Sequence, residues 1–208
     1  MCPYTRFDIN SSNKNTRGSM INKIVGNKLY ICSTLLLCTL TYLLNFCTAI
    51  YQCALIFTLI AITTNAVTFT CGKSQSLKGL AFAVLISFAL LWTLPYYING
   101  KIVNGLVFAS FSSLMISVYW STSVFQKLTS KFSFVKSNAL SFGLAAIIDG
   151  FIMGLFFTLN NQFSYSRVLD IFSRELSYKM LYGFIASAII FVVLKMFKTN
   201  NLNHNLNK

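Results

Sequence analysis

The sequence predicts an all-α integral membrane protein with six transmembrane helices, and three observations support this class. Hydrophobic residues make up 55% of the 208-residue chain and charged residues only 10%, which the core of a soluble domain of this size does not need. The apolar residues fall into six runs, each close to the ~20 residues that a bilayer requires. The basic residues lie between these runs, where they indicate the orientation of the chain.

The six spans divide the chain into three parts. They are predicted at residues 29–46, 49–69, 79–98, 102–125, 138–159 and 179–197. The preceding residues, 1–28, are polar and basic, which predicts a disordered cytoplasmic arm. Residues 198–208 are expected to form a polar cytoplasmic tail, so the membrane domain is predicted over 29–197.

The positions of Lys and Arg predict that both termini are cytoplasmic. The arm, the second-to-third loop, the fourth-to-fifth loop and the tail lie on one side and hold 13 of the 17 basic residues. The loops on the other side hold the remaining four, partly offset by two acids: Lys101, Arg167, Arg174 and Lys179, with Asp170 and Glu175. Because Lys and Arg are enriched in cytoplasmic loops, this bias indicates an N-in, C-in topology.

Composition and motifs argue against several other classes of protein. The net charge of +13 does not come from a basic stripe with interleaved aromatic residues, so no nucleic-acid partner is expected. The six cysteines form no CxxC pair and the single histidine, His204, lies in the tail, so we expect no metal or other cofactor. The HExxH, GxSxG and phosphate-loop motifs are absent, and no enzymatic activity is expected. Because no cleavable signal peptide is apparent, the expected location is a bacterial inner membrane.

Asp149 lies near the middle of the fifth span, where an ionised carboxylate costs on the order of 3 kcal/mol. Its side chain must therefore face other helices or water. Gly143, Gly150 and Gly154 make one side of this helix small, and the last two form a GxxxG pair that lets a neighbouring backbone approach. We expect no second intramembrane acid to partner Asp149, and we expect Lys179 to reach from the end of its span to the membrane surface.

Two further groups of polar residues fall inside the predicted membrane domain. Thr64 and Asn65 belong to a cluster at the end of the second span, which either bonds to its own helix backbone or forms a polar wall facing a solute. Ser117 and Ser121 belong to a serine stripe in the fourth span, which indicates either close helix packing or the lining of a cavity. Together with Asp149 these groups suggest a small aqueous pocket, in which residues such as Trp120 could stack on a polar planar solute.

Residues 164–176, between the last two spans, predict an interfacial amphipathic helix on the outer surface. Apolar residues recur there at helical spacing, and charged residues lie on the opposite side: Val168, Leu169, Phe172 and Leu176 against Arg167, Asp170, Arg174 and Glu175. This helix is either a lid over an entry path or a helix that lies on lipid.

Four stretches of the chain carry a resemblance to a known family. They are VFQKL (124–128), Ser141 followed by IIDGFIMGLFF (147–157), Lys179 at the start of the last span, and ALIFTLIAITTNAVTFTCGK (54–73). From about residue 52 to residue 197 the chain resembles the queuosine precursor transporters, also called the vitamin-uptake-like family. Asp149 and Lys179 stand at positions where this family has Asp and Lys, whereas Asn65 stands where it usually has Asp.

The resemblance implies a six-helix importer of deazaguanine precursors of tRNA modification, such as preQ0, preQ1 or queuine. Asp149 is then the central recognition or proton-linked group, and Asn65, Thr64 and Ser141 line the pocket. Two alternatives stay open. The first is a substrate-capture subunit that works with an energising partner, as in multi-component vitamin uptake systems, and the second is a membrane scaffold that transports nothing. The expected partners are the lipid bilayer and a small-molecule substrate, with further copies of the chain or an energising protein as the candidate protein partners.

Overall fold

The computed structural model describes residues 16–47, 49–91, 97–98, 101–102, 105–159 and 163–206. The described chain forms six helices: α1 (Thr16–Leu44), α2 (Ile50–Cys71), α3 (Lys73–Leu91), α4 (Leu106–Leu128), α5 (Phe134–Leu159) and α6 (Tyr165–Leu206). Two strands of two residues each, β1 (Tyr97–Ile98) and β2 (Lys101–Ile102), pair antiparallel between α3 and α4. The predicted all-helical class is confirmed.

Five of the helices, α2 to α6, are long and apolar enough to cross a membrane. The first helix contains a shorter apolar stretch, Lys28–Leu44. This is the architecture of a helical, multi-pass membrane protein, and most of each predicted span lies in a helix of its own. α1 begins at Thr16, within the segment that the sequence predicts as a disordered arm.

The boundaries of α2, α3 and α4 differ from the predicted ones. The predicted loop between the second and third spans is helical, because α3 begins at Lys73 and only Gly72 separates it from α2. Gly72 has φ of 88°, a backbone conformation that costs little only for a residue without Cβ. α3 ends at Leu91 and α4 begins only at Leu106. The prediction extended both spans too far because hydropathy does not distinguish an apolar hairpin from the end of an apolar helix.

α6 unites two elements that were predicted to be separate. The expected interfacial helix at 164–176 and the sixth span are parts of one helix of 42 residues. The prediction of a separate helix was wrong, because residues 176–179 contain neither Gly nor Pro and nothing there ends the helix. Val168 is buried, and Phe172 lies against Gly150 of α5. The apolar side of the predicted amphipathic segment therefore packs in part on protein.

α2 lies at the centre of the bundle, since it contacts each of the other five helices. Around it, α1 packs on α3, α4 on α5, and α5 on α6. A single apolar core joins α1 to α5 through residues such as Leu37, Ile60, Leu80, Leu114 and Ala145. The large apolar residues on the outside, for example Phe151 and Phe184, have the exposure expected of side chains that face lipid.

The three glycines singled out in the fifth span all lie near α6, but at different distances. A Cβ added at Gly150 would lie 2.6 Å from the ring of Phe172. A Cβ added at Gly143 or at Gly154 would meet Met180 or Val168 at 3.6 and 3.7 Å, which are ordinary contacts. Gly150 is therefore the one of these three glycines at which the packing of α6 requires the absence of a side chain.

We expect Gly150→Val to destabilise the bundle by about 1–3 kcal/mol, because the added side chain overpacks the contact between α5 and α6. The measurement is the thermal unfolding midpoint of the purified protein in detergent. Gly154→Ala is the matched control, and its midpoint should stay close to that of the wild type. Equal midpoints for Gly150→Val and Gly154→Ala would contradict the close packing at Phe172.

Candidate functional site

The centre of the candidate site is an ammonium group held between two carboxylates. Lys179 Nζ on α6 lies 2.5 Å from Asp149 Oδ2 on α5 and 2.6 Å from Glu175 Oε1, one turn away on α6. Lys179 is only 1% exposed and Asp149 7% exposed. Three ionisable groups, two of them buried and Glu175 half-buried, thus form one cluster, which we call the ion cluster.

Residues from two other helices complete the ion cluster. Ser113 on α4 donates a hydrogen bond of 2.5 Å to Asp149 Oδ1, so both oxygens of this carboxylate have partners. Phe57 on α2 places its ring centroid 4.2 Å from Lys179 Nζ, a distance typical of a cation–π contact. Four helices, α2, α4, α5 and α6, therefore meet at this point.

The position of Lys179 follows from the helical repeat of α6. Residues 168, 172, 175, 179, 183 and 187 are spaced by three or four and share one side of a helix. Val168, Lys179, Gly183 and Ser187 on this side are all buried. Glu175 and Lys179 therefore lie on the side of α6 that packs into the bundle, whereas the charged residues of the other side, Arg174 and Asp170, are exposed and paired with each other.

Glu175, predicted on the side of its segment opposite Val168 and Phe172, lies on their side and contacts Lys179. Two further expectations from the sequence are wrong at this cluster. Lys179 does not reach to the membrane surface but points into the bundle. Asp149 does share a cation with a second acid, Glu175. The sequence contained a signal for the burial of Lys179 and for its pairing with Glu175. If the helix continues through residues 176–179, these two residues are four positions apart on one side. That side is the one that carries Val168 and Phe172. The predicted break before the sixth span obscured it.

Asn65 and Ser141, both predicted to bind the solute, meet in a second polar group. Asn65 Nδ2 donates to Asn138 Oδ1 at 2.8 Å and to Ser141 Oγ at 3.1 Å, so α2 and α5 are joined by side chains that are at most 1% exposed. Nearby on α2, the backbone oxygen of Thr64 accepts a hydrogen bond of 2.8 Å from Ser76 Oγ of α3. We call Asn65, Asn138 and Ser141 the amide cluster. Asn138 was not predicted, although it shares a face of α5 with Ser141.

The two clusters lie at different levels of the bundle. Ser141 and Asp149 are two helical turns apart on one side of α5, which corresponds to a rise of about 12 Å. α4 and α5 run antiparallel, since Phe125 contacts Phe134 and Ser113 contacts Asp149. The structure therefore replaces the single predicted pocket with two polar levels, one charged and one uncharged.

The remaining predicted site residues on α4 divide between the interior and the surface. Ser117 is buried and donates to the backbone oxygen of Leu114 in its own helix. Ser121 is 1% exposed, and its Oγ has no hydrogen-bond partner among the described residues; the same holds for Asn65 Oδ1. Trp120 is 55% exposed and points away from both clusters. The serine stripe faces the bundle as predicted, whereas Trp120 is not placed to stack on a solute at Asp149.

A groove of about 410 Å³ lies apart from these polar residues, between α3 and α4. Val84, Phe88, Phe111 and Met115 are among the residues that line it, and Ser112 is the single polar one. The chemistry of this groove suits an apolar group and offers a polar solute little beyond the Ser112 hydroxyl. Among the described residues, no group of three or more His, Cys, Asp and Glu could hold a metal ion.

We expect Lys179→Met to destabilise the protein by about 3–5 kcal/mol, because it leaves the buried carboxylate of Asp149 and the half-buried one of Glu175 without a cation. Asp149→Asn should cost less, since Lys179 keeps Glu175. The double variant should recover part of the loss, because only one carboxylate is then unpaired. Thermal unfolding in detergent measures all three, with Lys127→Met, an exposed lysine on α4, as the control. A Lys179→Met protein as stable as Lys127→Met would refute the buried bridge.

Comparisons with known proteins do not assign the chain to a family. No protein-family model matches the sequence, and comparisons with curated proteins and with solved structures find no significant match. The interpretation of the site therefore depends on its own geometry, and the family resemblance remains an expectation from sequence motifs.

Proposed function

We propose that this protein is a multi-pass membrane transporter that imports a small polar heterocycle, with a deazaguanine precursor of queuosine as the first solute to test. The observation that carries the proposal is the ion cluster at the meeting point of α2, α4, α5 and α6. Ionisable residues inside a membrane domain are costly and are typical of substrate or ion pathways. Apolar residues would pack four helices together at lower cost.

The chemistry of the cluster suits the edge of a guanine-like ring. A carboxylate such as that of Asp149 accepts hydrogen bonds from two adjacent N–H groups, and an ammonium such as that of Lys179 donates to a ring carbonyl. In the structure these groups satisfy one another, so solute binding has to separate Lys179 from one of its two carboxylates, Asp149 or Glu175. A solute that forms equivalent contacts with the released groups compensates for the lost ion pair. Its binding then favours the conformation in which Lys179 and that carboxylate are apart.

The amide cluster offers a second set of contacts about 12 Å away along α5. Asn65 Oδ1 and Ser121 Oγ are buried without a hydrogen-bond partner in the described part of the chain. Such atoms cost about 1–3 kcal/mol each, which a bound polar group recovers. Two polar levels joined by one side of α5 are consistent with a path along which a solute moves in steps across the bundle.

A membrane scaffold is the second candidate, and one observation favours it. Both oxygens of Asp149 and the ammonium of Lys179 already have partners within the chain. A scaffold needs these contacts only for packing, so it should tolerate an apolar replacement of the whole cluster. A transporter should lose uptake with any change that removes the charge of Asp149.

We expect cells that lack their own importer and express this chain to accumulate labelled preQ0, preQ1 or queuine, and Asp149→Asn to abolish the accumulation. The reason is that Asn keeps the size of Asp149 but cannot accept hydrogen bonds through both of its polar atoms. Trp120→Ala is the matched control in the membrane domain and should keep uptake, because Trp120 faces outward.

Protein level in the bacterial inner membrane is measured in parallel, so that loss of uptake is separated from loss of protein. Normal uptake by Asp149→Asn would make the residue structural and end its assignment as the central group. No uptake by the wild type alone, followed by uptake when an energising partner is supplied, would identify a substrate-capture subunit instead.

A further inference from the structure

We infer that the solute is a monovalent organic cation with N–H donors, whose charged group binds Glu175 beside Lys179 in the ion cluster. The inference rests on the proposed transport function and adds the charge class of the solute. It comes from two features of the ion cluster, its net charge and the way in which it already holds an ammonium group.

The ion cluster carries one negative charge when its three groups are ionised, since Asp149 and Glu175 face a single ammonium. The other helices that meet there contribute no compensating charge from their described contacts: α2 brings Phe57 and α4 brings Ser113. An uncompensated charge inside a membrane domain is costly. A cationic solute makes the cluster neutral, a neutral solute leaves one negative charge, and an anion leaves two.

The contacts of Lys179 Nζ define an ammonium site. Its three N–H donors can be matched to two carboxylates and one aromatic face, with Nζ at 2.5 and 2.6 Å from Asp149 and Glu175 and 4.2 Å from the ring of Phe57. Carboxylates with an aromatic face are the groups by which proteins bind organic ammonium ions. Lys179 thus occupies a site that a free amine of the right charge can share.

Glu175 is the member of the cluster through which a solute can enter. Its side chain is 20% exposed, compared with 9% for that of Asp149 and 1% for that of Lys179. When a cationic solute binds Glu175, Lys179 keeps Asp149, and each carboxylate then holds one positive group. Glu175 is therefore the residue that selects for charge.

The first experiment tests the ammonium site without transport. Lys179→Ala removes the atoms of an n-propylammonium ion, so we expect added propylammonium to raise the unfolding midpoint of the full-length variant in a saturable way. Propan-1-ol, which has the same chain but no charge, should give no such increase. Lys127→Ala, at an exposed lysine, should not respond to propylammonium. Equal responses to propylammonium and propan-1-ol would overturn the ammonium site.

The second experiment tests charge selection by the wild-type protein and does not depend on Lys179→Ala being folded. Two deazaguanines with the same ring are compared, one with an aminomethyl group that is cationic at pH 7 and one with a neutral nitrile. We expect the wild type to take up the cationic solute with a kcat/KM about tenfold higher, which corresponds to 1.4 kcal/mol. Glu175→Gln, which makes the cluster neutral without a solute, should bring the ratio close to one.

The two experiments separate failure of this inference from failure of the proposed function. Uptake of both deazaguanines at equal rates, or a ratio that Glu175→Gln does not change, would overturn charge selection while the transport function stands. A saturable response of Lys179→Ala to propylammonium, with no uptake of either deazaguanine, would support the ammonium site and refute this solute class as the cargo.

Discussion

The bridge from Lys179 to Asp149 and Glu175 is the interaction on which the arrangement of the last two helices depends. A buried charge without a partner is strongly unfavourable, so α5 and α6 must adopt the one rotation and one axial position that bring these groups together. Phe172 against Gly150 and Phe142 against Gly183 then pack on either side of the bridge along the chain. The charges determine the register of α5 and α6, and the close contacts at the glycines determine how near the helices lie.

The central helix α2 connects the two polar levels of the bundle. Phe57 contacts Lys179 at the charged level, and Asn65, two turns further along, bonds to α5 at the uncharged level. A movement of α2 relative to α5 would therefore alter both levels together. Transport across a membrane requires two arrangements of the same helices around one site, and bonds of modest net strength such as those of Asn65 are ones that a bundle can exchange.

Much of the fold could be predicted from the sequence because the membrane imposes strong local rules. A charge in the centre of an apolar run has to face protein, and this placed Asp149 inside the bundle with one side of its helix packed closely. The pairing of Asp149 could not be predicted in the same way, since it depends on where α6 lies. A predicted helix end before residue 179 hid the common face of Glu175 and Lys179, and hydropathy alone gave no reason to join the two segments.

The faces of the apolar helices were harder to predict than their number. On α4 the serine stripe indicated the buried side at Ser117, but hydropathy gave no reason to place Trp120 on the outward side. The same limit applies to the hairpin at β1 and β2, whose apolar residues were assigned to the ends of two spans. For α4 the deciding contacts come from residues distant in the chain, whereas the two strands pair locally, Tyr97 with Ile102 and Ile98 with Lys101.

The order of the helices has a consequence for how the protein is made. Asp149 enters the membrane with α5, but its cation lies 30 residues later in the chain on α6. Until the last helix is inserted, the partner of the carboxylate among the described residues is Ser113 of α4, and an ionised carboxylate at the centre of the bilayer costs on the order of 3 kcal/mol. The ion pair of Asp149 therefore forms only when the last helix, α6, is inserted. A chain that stops before α6 keeps an intramembrane acid without its cation.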